Sequence, residues 1–352
     1  MSADPTERPK GRGRFASRRL LTIGVGLAAA VATFVFVLPR IANYGDVWDA
    51  VNDLSWEQLG LLLATTALNL ATFAPPWQAA LPGLGFRQAF VLTQASTAST
   101  YIAPGGAAVG MAVGYGMLRA WGFGSAPVAL AVAVTGLWNQ LALLAFPVVA
   151  LALLTFVHER HPLLETVALI GLVVLVAAVG SVAAGLATPR FARWVGNLAA
   201  RVVNRVVRVA RRGPVSWTGE SLVRFRQEAL ELLQRRWPLI TVTTLAGHLT
   251  VYLLLLVCLR VFGASAHEVS AIEAFGAWSI VRLLGSLPIT PGGIGVVEVG
   301  LTGALVGFGG GNAEVVAAVL VYRFLTIVPT LVLGLLAVVT WRRYRPELAR
   351  PG

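Results

Sequence analysis

Apolar runs of about twenty residues or more, near 19–38, 57–75, 126–155, 163–187, 238–262 and 312–341, alternate with short polar and charged segments. A helix of roughly 20 apolar residues crosses the ~30 Å hydrocarbon core of a bilayer. Six such runs predict six crossings. A transmembrane β-barrel would instead show ~10-residue segments of alternating polarity, and the chain has none. The pattern predicts an all-α, polytopic integral membrane protein.

Two further apolar stretches, about 86–120 and 270–310, are each interrupted centrally, by Pro104-Gly105-Gly106 and by Pro291-Gly292-Gly293 with Gly295 beyond. Proline removes a helical hydrogen bond and glycine loosens the backbone. Each stretch is therefore expected to form two half-helices around a bend, either as a re-entrant hairpin or as a pair of broken spans. Irregular backbone at this depth is tolerated where protein or a water-filled cavity surrounds it. The two stretches are related by an offset of 187 residues. The same offset lays Gly122-Phe123-Gly124 on Gly309-Gly310-Gly311 and run 126–155 on run 312–341. Three crossings separate the copies, so they are expected to be inverted in the membrane. Inverted repeats with paired broken helices point to a transporter site near the midplane.

Loop charges orient this arrangement through the positive-inside rule. Arg8, Lys10, Arg12, Arg14, Arg18 and Arg19 precede the first run, which is as long as a span and lacks a small-residue cleavage site, and so reads as a retained helix. Asp46, Asp49, Asp53 and Glu57 follow it, Arg87 and Arg119 bracket the first broken stretch, and Arg342, Arg343, Arg345 and Arg350 close the chain. Both termini are expected in the cytoplasm, with Arg260 the one mild exception to the rule. The expected layout is a basic tail over 1–18, one transmembrane domain over 19–345 and a short cytoplasmic tail over 346–352. Within that domain the repeats are about 86–155 and 270–341, and an Arg-rich cytoplasmic segment covers 188–237.

Composition supports the membrane reading, with 57% hydrophobic residues, 12% charged and a mean hydropathy of +0.75. The net charge of +12 comes from 27 Arg and the single Lys10. These cations flank apolar runs, so attraction to anionic headgroups accounts for them better than nucleic acid does. Cys258 is the only cysteine, which excludes an intramolecular disulfide. His158, His161, His248 and His267 are scattered and predict no metal set. With neither a P-loop nor a GxSxG elbow present, no cofactor and no catalysis are expected.

Two groups of residues carry candidate chemistry. In segment 188–237, Thr188-Pro189 opens a helix on which Arg190, Arg193, Arg201, Arg205, Arg208, Arg211 and Arg212 fall within an arc of about 120°. Such a helix suits the inner leaflet surface, either as an anchor or as a collector of anionic lipid. Within the apolar stretches stand Arg282, Glu298 and Arg323, where each ionisable group costs roughly 2.5–3.5 kcal/mol at a helix centre. They are expected to form a pocket for an anionic headgroup, with Arg282 and Arg323 binding it, Glu298 orienting them, and Tyr322 and Asn139 adding hydrogen bonds. The alternative role of Glu298 is a pair with arginine that locks helices together.

Pro291-Gly292-Gly293-Ile294-Gly295-Val296-Val297-Glu298, followed by a Gly-rich helix and a span with Tyr322-Arg323, resembles the lysylphosphatidylglycerol synthase transmembrane (flippase-like) family over about 20–345. The resemblance implies a prokaryotic cytoplasmic membrane and translocation of a lipid or lipid-linked amphiphile without ATP. Family members with a synthase carry a soluble aminoacyl-transferase domain after the membrane region; this chain ends soon after its last span, implying the translocation half alone. The first copy departs from the family pattern. Its usual Gly-Glu-x-x-Arg polar positions are occupied by apolar or small residues at 109–112, and Thr135, Gly136 and Asn139 replace charged groups of the next span. A less charged substrate is then conceivable. The alternative function is a non-transporting anchor or accessory subunit of a lipid- or glycan-synthesising complex, joined by a separately encoded synthase or transferase.

Overall fold

The computed structural model describes residues 52–102, 106–157, 162–188, 190, 219–286 and 291–344. The first apolar run, the basic N-terminal tail, Pro104, Gly105, the arginines at 193, 201, 205, 208, 211 and 212, and the C-terminal tail lie outside them. Arg190 is described and is exposed.

Among the described residues every element is helical: α1 (Trp56–Thr72), α2 (Pro75–Ala80), α3 (Phe86–Ile102), α4 (Gly106–Ala120), α5 (Ser125–Val157), α6 (Pro162–Ala187), α7 (Gly219–Val261), α8 (Ala271–Gly285), α9 (Val296–Gly307) and α10 (Asn312–Thr340), with 3-10 turns at Pro291–Gly293 and Trp341–Tyr344. Five segments are long and apolar enough to cross a membrane: α1 with α2, α5, α6, α7 and α10. They coincide with the five apolar runs that fall on described residues. The chain is an integral, multi-pass α-helical membrane protein.

Local chemistry sets the boundaries. Ser55 and Gln58 cap α1 reciprocally, the serine hydroxyl accepting from the Gln58 amide at 3.2 Å and the glutamine oxygen accepting from the Ser55 amide at 2.9 Å. Pro75 and Pro76 then open α2, where a missing N–H costs nothing. Pro147, Pro238 and Pro329 lie inside α5, α7 and α10, as neighbouring helices allow within a membrane. Helix α7 differs from expectation. Its 43 residues reach about 64 Å, twice the hydrocarbon core, so the second half of the Arg-rich segment is a continuous extension of the span. Arg226 fixes that extension to the end of α6, donating to the carbonyls of Leu186 at 2.6 Å and Ala187 at 3.1 Å.

The two broken stretches form helical hairpins, α3–α4 and α8–α9. Their helices of 17, 15, 15 and 12 residues reach about 18–25 Å, short of a full crossing. The repeated motif also folds alike in both copies. After α4, Gly122 adopts φ 95° and Phe123 donates to Leu118; after α9, Gly309 adopts φ 116° and Gly310 donates to Leu305. These are the same closing turns, displaced by the sequence offset, and the left-handed residue explains the glycine in each. Packing is crosswise: α10 of the second copy lies against α3 of the first, and α5 of the first against α8 of the second. Gly334 of α10 permits the first of these contacts, since a side chain there would meet Ala98 and the Gln94 carbonyl.

The largest core cluster joins α5, α7, α8, α9 and α10 around Phe146, Phe275 and Trp278. A smaller one joins Ala98, Ile294, Ile327 and Leu331, with Tyr101 and Ile102 packed on it, and so unites the two hairpin tips. Helix α6 packs on α5, and its Leu169, Val173 and Val176 are each about 60% exposed, as expected of a lipid-facing face.

Candidate functional site

The second hairpin bends where Pro291-Gly292-Gly293 follows α8. Gly292, Gly293 and Gly295 have φ of 63°, 67° and 86°, a left-handed run that only glycine adopts readily. Glu298 closes the next helix from within. One carboxylate oxygen accepts from the Gly295 amide at 2.6 Å, and the other accepts from Arg323 Nε at 2.5 Å. Arg323 also donates through Nη2 to the Gly292 carbonyl at 3.2 Å. Both charged groups are buried. This pair joins the bend, the start of α9 and the middle of α10 in one network. The first hairpin meets it directly, because the Tyr101 ring, just before the first bend, occupies the space above Gly292.

Arg282 does not share Glu298. Its Nη2 contacts His248 Nδ1 at 3.2 Å, and its guanidinium lies 5.5 Å from the Trp278 ring centroid. Among the described residues it makes no ion pair. His248 is buried between Phe73 and Phe146, with ring centroids 5.9 and 5.6 Å away. Tyr322 is buried beside Arg323 on α10, with its hydroxyl near both guanidinium groups. That hydroxyl also approaches Trp278, without hydrogen-bond geometry to its Nε1.

The arrangement thus brings together four of the five expected pocket residues, in two linked groups: Glu298 with Arg323, and Arg282 with His248, Tyr322 bridging them. Asn139 stands apart; among the described residues its side chain is bonded to the neighbouring Gln140 at 3.3 Å. It lies two turns before Phe146, nearer the start of α5. His248 was not foreseen. Its partner is 34 positions away on another helix; the only sequence signal is a histidine one turn after Thr244 within an apolar run. Of the expected bends, Gly106 begins α4 and has no room for a side chain, since one would fall against Thr100.

The model of the lysylphosphatidylglycerol synthase TM region matches residues 21–334, nearly the whole chain. The chain belongs to the lysylphosphatidylglycerol synthase TM region family. Among curated proteins none matches at a significant level. In this member of the family, the most specific motif of the sequence, Pro291 to Glu298, is the segment that Arg323 ties to the last span.

Proposed function

We propose that the chain moves a lipid or lipid-linked amphiphile between the leaflets of a prokaryotic cytoplasmic membrane, with both termini cytoplasmic and without ATP. The observation that carries this reading is the buried Glu298–Arg323 pair, which joins a broken helix to a full span beside the facing tip of the other hairpin. Buried charges in a membrane are costly and commonly mark substrate or ion pathways. A buried pair stabilises no more than apolar packing would, so its placement on the bend favours a working role. Family membership supports the same reading, and irregular backbone lining a path is the usual construction of transporters.

The path runs along the meeting line of the hairpins. Glu298 and Arg323 cancel in charge, leaving Arg282 as the net cation of the cluster, so the passing headgroup is anionic. Glu298 positions the bend; it is not assigned a catalytic step. The test is leaflet exchange of fluorescent phosphatidylglycerol in proteoliposomes, read by dithionite quenching. Exchange well above protein-free vesicles supports the reading. Background exchange by folded, monodisperse protein, together with copurification of a soluble synthase or transferase, would favour the accessory-subunit alternative.

A further inference from the structure

Four buried side-chain polar atoms among the described residues have no hydrogen-bond partner, two on α7 and two on α8: Thr244 Oγ1, His248 Nε2, Trp278 Nε1 and Arg282 Nε. Thr244 lies one turn before His248 on α7, and Trp278 one turn before Arg282 on α8. The two helices meet through Arg282 Nη2 and His248 Nδ1, and the guanidinium rests over the indole. His248 and Trp278 are each only 1% exposed.

The proton inventory of these groups is one-sided. A guanidinium only donates, so His248 Nδ1 accepts from Arg282, and the proton of the neutral ring sits on Nε2. Arg282 Nε and Trp278 Nε1 are donors only, and the Thr244 hydroxyl can donate. The Tyr322 hydroxyl that approaches Trp278 can accept as well as donate; beside it the cluster offers three obligatory donors, the Thr244 hydroxyl and one positive charge. No carboxylate of the described residues pairs with Arg282. A cation would be repelled, and a neutral carbonyl would leave the charge unmatched. Phe73, Phe146 and Phe275 wall the cluster and make it apolar apart from its donors.

We infer that Thr244, His248, Trp278 and Arg282 form an oxyanion site that takes a singly charged phosphate group. The single charge follows from the ion-pair pattern: Glu298 neutralises Arg323, and only Arg282 remains to be matched. The site is separate from the Glu298–Arg323 bend, with Tyr322 between them, and the inference rests on the translocation reading for placing that phosphate on a lipid. In that role the site holds the headgroup while the bend moves.

Calorimetric titration of the full chain in an uncharged maltoside detergent tests this, with three probes: inorganic phosphate, dihexanoyl phosphatidylglycerol and dihexanoylglycerol. Phosphatidylglycerol is expected to bind and dihexanoylglycerol not. Trp278→Phe, which keeps the ring and removes one donor, is expected to weaken binding about three- to tenfold, and Arg282→Gln about a hundredfold. Preference for phosphatidylglycerol over phosphate identifies a lipid headgroup, and equal binding identifies a free anion; both uphold the site. Absence of binding, equal binding of dihexanoylglycerol, or native affinity in the variants overturns it. Should Arg282→Gln not fold, Arg282→Lys, which keeps the charge and loses the fork, replaces it with an expected loss of about tenfold. Binding without leaflet exchange would sink the translocation reading and leave the site standing; exchange without binding would do the reverse.

Discussion

The ring of Tyr101 lies so close over Gly292 that a Cβ there would come within 2.7 Å of its Cε1 atom. The contact joins the tip of one hairpin to the bend of the other. Gly292 is constrained twice, by this ring and by its φ of 63°. Gly292→Ala is expected to destabilise the protein by about 1–3 kcal/mol, of which roughly 1–2 is the left-handed backbone. Adding Tyr101→Ala removes the clash and leaves the backbone cost, so the two changes should be non-additive by about 0.5–2 kcal/mol. Thermal unfolding of the four proteins in detergent measures this. Simple additivity would show that the hairpins do not touch there.

Removing one member of a buried ion pair leaves the other uncompensated, at a cost of about 3–5 kcal/mol. Arg323→Met and Glu298→Ala are each expected to lower thermal stability accordingly, and the double variant by much less than their sum. Glu298→Gln should cost less than Glu298→Ala, since the amide oxygen can still accept from the Gly295 amide that Glu298 now caps. Equal losses for the two Glu298 variants would mean that the cap contributes nothing.

Arg260 places a positive charge at the end of α7 that the loop rule assigns outside. Its contacts explain it: Nη1 donates to the Ala264 carbonyl and Nη2 to the Val269 carbonyl, both at 2.7 Å. The cation satisfies carbonyls after the helix and complements its C-terminal dipole. Arg260→Ala is expected to destabilise by about 1.5–3 kcal/mol and to raise hydrogen exchange across residues 262–270. Unchanged exchange there would remove this structural explanation.

Sidedness can be read chemically because the lone Cys258 is fully buried and contributes little background. Ala266→Cys, in the exposed loop after α7, is expected to react with an impermeant maleimide added to intact cells. Gln227→Cys, exposed on the long extension of α7, should react only after permeabilisation. The reverse pattern would invert the orientation inferred from the arginines.

What the sequence made legible follows from range. The spans were visible because twenty apolar residues are a local signal, and the hairpins because Pro-Gly-Gly interrupts such a run. Glu298 and Arg323 stood out as isolated charges in apolar surroundings, but their pairing is tertiary. Sequence expects Arg282 and Arg323 on one headgroup, with Glu298 orienting them or pairing with one; packing gives Glu298 to Arg323 and sets Arg282 on His248. Sequence alone assigns His248 no role, because scattered histidines argue only against a metal set, while its contact depends on the α7–α8 crossing. Asn139 attracted notice as a polar residue in a span, and nothing local could show that it lies away from the cluster. The 43-residue run of α7 was hidden by its change from charged to apolar composition near Pro238.

The most direct test of translocation through the bend is phosphatidylglycerol exchange in proteoliposomes, comparing the native chain with Glu298→Gln and Arg323→Ala, each shown to be monodisperse. The account predicts fast exchange by the native chain and a loss of at least tenfold in both variants. Native exchange that persists unchanged in both would contradict a path governed by the Glu298–Arg323 pair.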